Sequence, residues 1–392
     1  MERLEIYIHI PFCVKKCDYC DFLSMSAGND TIGKYISALI NEIKLSKNRM
    51  EGYLVDTVFI GGGTPSLLEE NFIIRIMEVL RENCNMDENA EITIECNPGT
   101  VDKNKLNSFR RAGINRISFG LQSANDDELR SIGRIHNFSQ FEESFKFARE
   151  VGFDNINVDI MSALPGQSVE GYKKTLEKVL TLNPEHISAY SLIVEEGTPL
   201  YDRVKKAGNK GKSILPDEDS EREMYYQTEK ILQQNNYERY EISNYARKGF
   251  ACRHNVGYWK RREYLGFGIG AASLYHGKRF NNVAEIQDYI ETLGFIKTVE
   301  VQERLLKKVE EDLHVLSKKE QMEEFMFLGL RMIKGISIQE FDRQFDGSFA
   351  GIYGEIVDRF VEKGLLEKKK GYVRLTKRGI DISNYVMSEF LL

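Results

Sequence analysis

The stretch that decides the fold is residues 4–20, Leu4-Glu5-Ile6-Tyr7-Ile8-His9-Ile10-Pro11-Phe12-Cys13-Val14-Lys15-Lys16-Cys17-Asp18-Tyr19-Cys20. Leu4, Ile6, Ile8 and Ile10 alternate with Glu5, Tyr7 and His9, the period of two that marks a β-strand with two different faces. Pro11 lacks a backbone N–H and ends the ladder. Three cysteines then fall within eight residues as C-x3-C-x2-C. An apolar strand therefore runs directly into a polar loop rich in metal-ligand chemistry.

The same unit recurs along the chain. Val55–Ile60 is apolar and closes on Gly61-Gly62-Gly63-Thr64-Pro65. Ile92–Ile94 closes on Glu95-Cys96-Asn97-Pro98, Ile117–Gln122 is a fourth strand, Ile156–Ile160 a fifth and Ile187–Val194 a sixth. Helical patterns lie between them over 67–82, 102–111, 138–151 and 169–182, several stopped by glycine. Strands alternating with helices at this spacing predict parallel βα units, as a barrel or an open doubly wound sheet. Both architectures gather their active-site loops at the carboxyl ends of the strands. The cysteine loop, the triple glycine, Glu95, Gln122, Asp159 and the Tyr190–Ile193 segment are thus expected around one cavity.

Beyond the sixth strand the pattern changes. Residues 205–213 form a Lys/Gly-rich loop, 220–235 a helix, 240–243 a short strand, and 285–320 a long charged segment. Helical runs at 323–332, 338–345 and 352–363 precede two short strands, 365–367 and 372–375, around a Lys-Lys-Lys-Gly turn. Three helices and a hairpin resemble a winged helix. The expected division is 1–236, a barrel domain; 237–320, an extension and connecting segment; and 321–392, a winged-helix-like α+β domain.

With 392 residues, 42% of them hydrophobic and 29% charged, the chain has ordinary globular composition and length for a large core plus a small domain. A net charge of −6 argues against a protein built to coat nucleic acid. Residues 321–392 hold 11 Lys/Arg and 11 Asp/Glu, so the C-terminal domain lacks the basic face of a DNA reader. It is expected to cover the barrel opening as a lid or docking surface. No run of about 18 apolar residues exists, so no membrane-spanning helix is expected. The acidic, alternating N-terminus does not read as a signal peptide. The expected location is the cytoplasm, where thiols stay reduced and clustered cysteines point to metal, not disulfide.

Three thiolates on one loop can hold three irons of a [4Fe-4S] cluster and leave the fourth iron open to a small molecule. A structural zinc site would use four protein ligands, commonly as paired C-x2-C units, and no second pair is present. The Gly61-Gly62-Gly63-Thr64-Pro65 run taken alone reads as a flexible turn at a strand end. Glu95 or Asp159 alone could cap a helix. Their placement on successive strand ends favours a shared ligand. Cys84 and Cys96 read as small buried hydrophobes.

Tyr7-Ile8-His9-Ile10-Pro11-Phe12-Cys13, the C-x3-C-x2-C loop and Gly61-Gly62-Gly63-Thr64-Pro65 closely resemble the radical S-adenosylmethionine (SAM) enzymes, and within them the oxygen-independent coproporphyrinogen III oxidase group. The resemblance spans nearly the whole chain. It implies a partial (β/α)6 barrel with a C-terminal winged-helix-like domain, a cluster on Cys13, Cys17 and Cys20, and SAM chelating the open iron. It further implies that Tyr7, Tyr19, Gly62, Gly63, Thr64, Glu95, Gln122, Arg134, Asp159 and Ile193 bind SAM. The family's Gly-Leu-Pro-Gly-Gln run appears here with Ala163 in place of the first glycine.

The oxidases of this group carry a fourth cysteine two residues past the third, where this chain has Phe22. His254-Asn255-Val256-Gly257-Tyr258-Trp259 matches the H-N-x-x-Y-W motif of the group's heme-chaperone branch. That resemblance implies binding of heme and its transfer to acceptor apo-hemoproteins, such as respiratory ones, with transient membrane docking open to such a carrier. His254 offers an axial imidazole, Cys252 a second ligand or attachment point, and Tyr258 and Trp259 rings for a porphyrin face. The alternative is the coproporphyrinogen III oxidation itself, a radical decarboxylation of propionate side chains in heme biosynthesis.

Overall fold

The structure, a computed structural model, describes residues 1–294 and 302–392. Its centre is a run of six parallel strands in chain order: β1 (Glu2–Ile10), β2 (Tyr53–Gly62), β3 (Met86–Cys96), β4 (Arg116–Gln122), β5 (Ile156–Ser162) and β6 (His186–Ser191). On one side the sheet continues through the short antiparallel strands β7 (Glu238–Arg239) and β8 (Asn244–Ala246), in the order β6-β8-β7. On the other, β9 (Tyr264–Phe267) runs parallel to β1 and leads to the antiparallel strands β10 (Ala272–Tyr275), β11 (Lys278–Asn282) and β12 (Glu310–Val315). This is an α/β partial (β/α)6 barrel, its two edges extended by small strands.

The alternation in β1 sets the two faces. Leu4, Ile6, Ile8 and Ile10 are wholly buried in the apolar core under the outer helices. Glu5, Tyr7 and His9 take the other face and look into the barrel. The helices Lys103–Arg111, Phe138–Glu150 and Val169–Thr181 start where Asp102, Asn137 and Ser168 accept hydrogen bonds from backbone N–H groups of the first turn. Asn137 and Gln140 complete a capping box.

Several elements depart from the sequence expectation, among them the stretch 205–213 expected as a loop, whose residues 205–208 end the helix Pro199–Gly208. The helix Asn29–Leu45 has no counterpart among the expected elements, although Ile32, Tyr35, Ile36, Leu39, Ile40 and Ile43 carry its 3.6-residue stripe. The strand expected at 240–243 is the turn between β7 and β8. Glu241 draws it shut by accepting from Ser243 N (2.9 Å) and Asn244 Nδ2 (2.6 Å), so no ladder forms there. The sixth strand ends at Ser191, and Leu192–Val194 leave the sheet. The charged segment 285–320 holds the helices Ile286–Leu293 and Gln302–Val309 and strand β12, while its residues 295–301 lie outside the described ones.

The C-terminal helices Lys318–Gly329, Ile338–Phe345 and Phe349–Glu362 pack with β13 (Ile336–Ser337), β14 (Leu366–Lys369) and β15 (Tyr372–Leu375) around a separate core of Phe325, Phe341, Tyr353, Phe360 and Phe390. Lys370 (φ 50°) and Gly371 (φ 79°) form the two-residue turn between β14 and β15, the positive-φ pair that matches strand twist. This domain sits on the seam of the open barrel. Glu324 holds Arg261 and Arg279 at 2.7 and 2.6 Å on the β9–β11 side. Ile333 N donates to Tyr240 O at 3.0 Å on the β7–β8 side. The expected lid over the barrel opening is therefore a side closure, because its partners lie along both sheet edges.

Candidate functional site

Each βα loop contributes a wall to one cavity at the carboxyl ends of β1–β5. Cys13, Cys17, Tyr19, Cys20, Gly62, Gly63, Thr64, Glu95, Gln122, Arg134 and Asp159 all line it. These eleven predicted residues come from five different strand ends, as parallel topology demands. Among the described residues, none of 318–392 lines it.

The cysteine loop is held at both ends and in its middle. Cys13 N donates to Met25 O (2.9 Å) and Met25 N to Pro11 O (2.7 Å), so the chain leaves and rejoins β1. Asp18 N donates to Ile132 O (3.0 Å), Leu200 N donates to Asp18 O (2.8 Å), and the Asp18 carboxylate takes Arg203 at 3.1 Å. Loops after β4 and β6 thereby clamp the loop after β1. All six cysteines are free, and burial pushes the Cys17 and Cys20 thiols up from their ordinary value.

Gly62 has φ +115°, and a Cβ there would lie 2.5 Å from the His9 ring; at Gly63 it would lie 3.0 Å from Cys13 Sγ. A side chain at Gly62 would run into His9 on β1, and one at Gly63 into the start of the cysteine loop. Gly62 N donates to Glu95 Oε2 at 3.0 Å. Burial and the nearby Asp159 carboxylate push Glu95 up to about 8, against the pull of Gly62 N–H and Arg134. Asp159 is also raised by burial while Asn157 and Ser188 hold its charged form. Gln122 carries φ +73°, an uncommon backbone for a side-chain-bearing residue, at the cavity wall. Ala163, where the family pattern has glycine, is likewise left-handed at φ +60°.

Residues not singled out from the sequence complete the wall. Asn97 Nδ2 donates to Thr64 Oγ1 (2.9 Å), and Arg134 Nη1 donates to Asn97 Oδ1 (3.0 Å). Gly120 leaves room for this arginine, since a Cβ there would lie 2.8 Å from Arg134 Nη2. Lys15 and Lys16 add positive charge beside the thiols, and Lys16 Nζ donates to Phe22 O at 2.8 Å. Asn97 before Pro98 signals only a turn in the sequence; its reach to two other loops is a tertiary fact.

Six predicted residues lie outside this lining. Tyr7 stands within the barrel, its hydroxyl 2.9 Å from His9 Nδ1 and its ring stacked on Phe59. Ile193 is 68% exposed past β6. The four heme candidates lie at the opposite end, on and beside the helix Arg253–Trp259, which plugs the barrel below the cavity. His254 is buried, its Nδ1 2.8 Å from Thr57 Oγ1, its ring stacked on Phe59 and its Nε2 without a partner. Burial and Arg116 press it down to about 3, so it is neutral. Cys252 is buried beside Glu91 and pushed up to about 12. Tyr258 packs edge-on against His254, and Arg331 lies over the Trp259 ring at 4.3 Å.

The partial barrel with a three-cysteine loop and a glycine cradle at its mouth defines a radical SAM protein. The radical SAM superfamily model matches residues 7–179, and the HemN C-terminal domain model matches residues 316–382. The chain is 36% identical to the heme chaperone HemW of Lactococcus lactis over 386 residues, 98% of this chain and 97% of that one. It is 36% identical to the heme chaperone HemW of Bacillus subtilis over 98% of each chain. The chain belongs to the HemW family. The coproporphyrinogen III oxidase of Escherichia coli, a radical SAM enzyme, shares its fold with a TM-score of 0.83, covering 100% of this chain and 90% of that one at 24% identity.

The donor set fits the groups this family implies. Three free thiols face one cavity from one loop, with lysines beside them to offset thiolate charge. Among the described residues, no three His, Cys, Asp or Glu side chains converge on one metal ion. In a cluster each thiolate binds a different iron, so the thiols need not share one point. Glu95 and Asp159 can meet a cationic ligand, and Arg134, with its buried Nε unpartnered, can meet a carboxylate.

Proposed function

We propose that this chain is a heme chaperone that binds heme and passes it to acceptor hemoproteins, with a [4Fe-4S] cluster and SAM in the barrel cavity. The observation that carries this reading is the nearly full-length likeness to HemW from two bacteria. Phe22, in place of a fourth cysteine, supports the chaperone over the oxidase.

Cys13, Cys17 and Cys20 would hold three irons. Bound there, the cluster supplies an electron and an open iron for the amino and carboxylate groups of SAM. Glu95 and Asp159 would take the positive end of SAM, Arg134 its carboxylate, Gly62 and Gly63 its backbone-like edge, and Thr64 and Gln122 its polar rim. Tyr19 would pack beside the adenine, with Tyr7 below and Ile193 at the outer margin. His254 Nε2 is an unpartnered imidazole nitrogen, the chemistry an axial ligand needs. Heme reaches His254 and Cys252, both buried, only if the helix Arg253–Trp259 leaves its seat, while Tyr258 and Trp259 are partly exposed. The working division is residues 1–236 for cluster and SAM, 237–320 for the motif-bearing extension, and 321–392 as the closing domain. Free thiols and the acidic net charge suit the cytoplasm. Among the described residues no helix is long and apolar enough to cross a membrane.

Anaerobic reconstitution with iron and sulfide, followed by heme titration and transfer to an apo-cytochrome, tests the proposal. Bound heme that moves to the acceptor is expected. Turnover of coproporphyrinogen III to protoporphyrinogen IX without heme transfer would replace this reading with the oxidase. In a folded His254→Ala protein weaker heme binding is expected, and an unchanged titration removes His254 from the heme site.

A further inference from the structure

We propose that Thr64 is a positioning residue whose hydroxyl donates a hydrogen bond to the Cys13 thiolate of the cluster and raises the cluster's reduction potential. The inference rests on the cluster reading above and goes beyond ligand identity.

Thr64 Oγ1 lies 3.4 Å from Cys13 Sγ, within hydrogen-bond reach for sulfur. A threonine hydroxyl has one proton and two acceptor lone pairs. Asn97 Nδ2 occupies one acceptor position at 2.9 Å, because an amide NH2 can only donate. The hydroxyl proton is thereby left to point away from Asn97, and Cys13 Sγ is its acceptor on that side. Thr64 is 3% exposed, so bulk water does not compete for the proton. Asn97 is fixed in its turn, since Arg134 Nη1 donates to its Oδ1 at 3.0 Å and so sets which end of the amide faces Thr64.

The backbone makes the contact permanent. Gly63 N donates to Ile10 O and Thr64 N to Phe12 O, each at 2.8 Å, which ties the glycine loop to the residues just before Cys13. At Gly63 a Cβ would sit 3.0 Å from Cys13 Sγ, so glycine is what lets the two loops close to this distance. Arg134, Asn97, Thr64 and Cys13 form one relay across the loops after β4, β3, β2 and β1. Among the described residues no hydroxyl donates to Cys17 or Cys20, and Cys20 is met instead by the backbone N–H of Phe22, so the side-chain relay marks one thiolate of the three. Hydrogen bonds to cluster sulfurs stabilise the more negative, reduced state and raise the potential.

The test uses the full-length protein, reconstituted anaerobically without SAM and titrated by EPR. Thr64→Val, close in shape and without the donor, is expected to load iron and sulfide like the parent and to show a lower midpoint potential. Thr64→Ser restores the parent potential, and Asn97→Ala, which frees the hydroxyl to rotate, falls between. A Thr64→Val potential equal to the parent's at equal iron content overturns the proposal. If Thr64→Val takes up no iron, Asn97→Ala decides by the same comparison. In the unchanged protein, exchange from H2O into D2O shifts the Fe–S(Cys) stretching band in resonance Raman, less so in Asn97→Ala. An identical response in both overturns the donor role whatever the other variants do. Failure of all proteins to bind iron overturns the cluster reading instead.

Discussion

The two halves of the barrel interior are both polar and both hold hydrogen bonds, yet most of the buried polar atoms without partners lie in the lower one. In the upper half, at the strand carboxyl ends, the groups are linked from loop to loop: Glu95 to Gly62, Arg134 to Asn97, Asn97 to Thr64, Thr64 to Cys13. In the lower half the interior is sealed by the helix Arg253–Trp259. There both oxygens of Glu5, Oδ1 of Asp56, Oγ1 of Thr93, Nε of Arg116 and Nε2 of His254 are buried without hydrogen-bond partners. A buried unpaired polar group costs about 1–3 kcal/mol. The upper half is organised to receive a ligand, while the lower half is closed by packing despite its chemistry. The heme-branch motif lies wholly in that second half.

The largest effect should come from the upper half. Replacing any one of Cys13, Cys17 or Cys20 by Ala is expected to abolish cluster loading, read as near-complete loss of iron and of the visible absorption band. The lower half should respond in stability instead. At Gly257 a Cβ would lie 1.6 Å from Glu5 Oε1. Gly257→Ala is expected to lower stability by about 3 kcal/mol, as overpacking of a closed interior does, measured by denaturant unfolding. Unchanged stability would mean that the plug is not seated against β1.

A third effect reaches both halves through pH. Glu5 is raised to about 9 by burial, and Glu95 to about 8, from an ordinary value of 4.5. Between 4.5 and these values the folded protein holds protons that the unfolded chain has released, so stability falls as pH rises. Below about pH 6.5 the buried His254, held down near 3, works the other way, so the cofactor-free protein should lose stability progressively from about pH 6.5 toward pH 9. Glu5→Gln should make the loss shallower across the window, remove the part between pH 8 and 9, and leave the Glu95 part below 8. The smallest change expected lies on the rim. Ala163 holds φ +60°, where glycine is free of the Cβ clash, so Ala163→Gly should stabilise by about 0.5–1 kcal/mol in thermal unfolding.

Much of the upper half was legible in the chain itself. Apolar alternation, turn residues at strand ends and the cysteine spacing are local signals. Parallel topology converts them into a shared cavity, because every strand delivers its carboxyl end to one rim. Eleven of the named SAM and cluster residues line that cavity. The C-terminal helices and hairpin were read to within a few residues for the same reason, since caps, periodicity and the Lys370-Gly371 turn are all local. The helix Asn29–Leu45 was readable too, from its stripe alone.

What the sequence by itself determined was order: which strands follow which, where each ends, and which side chains therefore share the rim. What only the tertiary structure decided was partnership. His254 looks like an available ligand in a linear motif, yet it stacks on Phe59 inside a closed barrel. Asn97 looks like a turn residue, yet it joins the loops after β2 and β4. The physical reason is one of range. Propensity and periodicity act over a few neighbouring residues, whereas burial and hydrogen-bond pairing depend on elements tens to hundreds of positions apart.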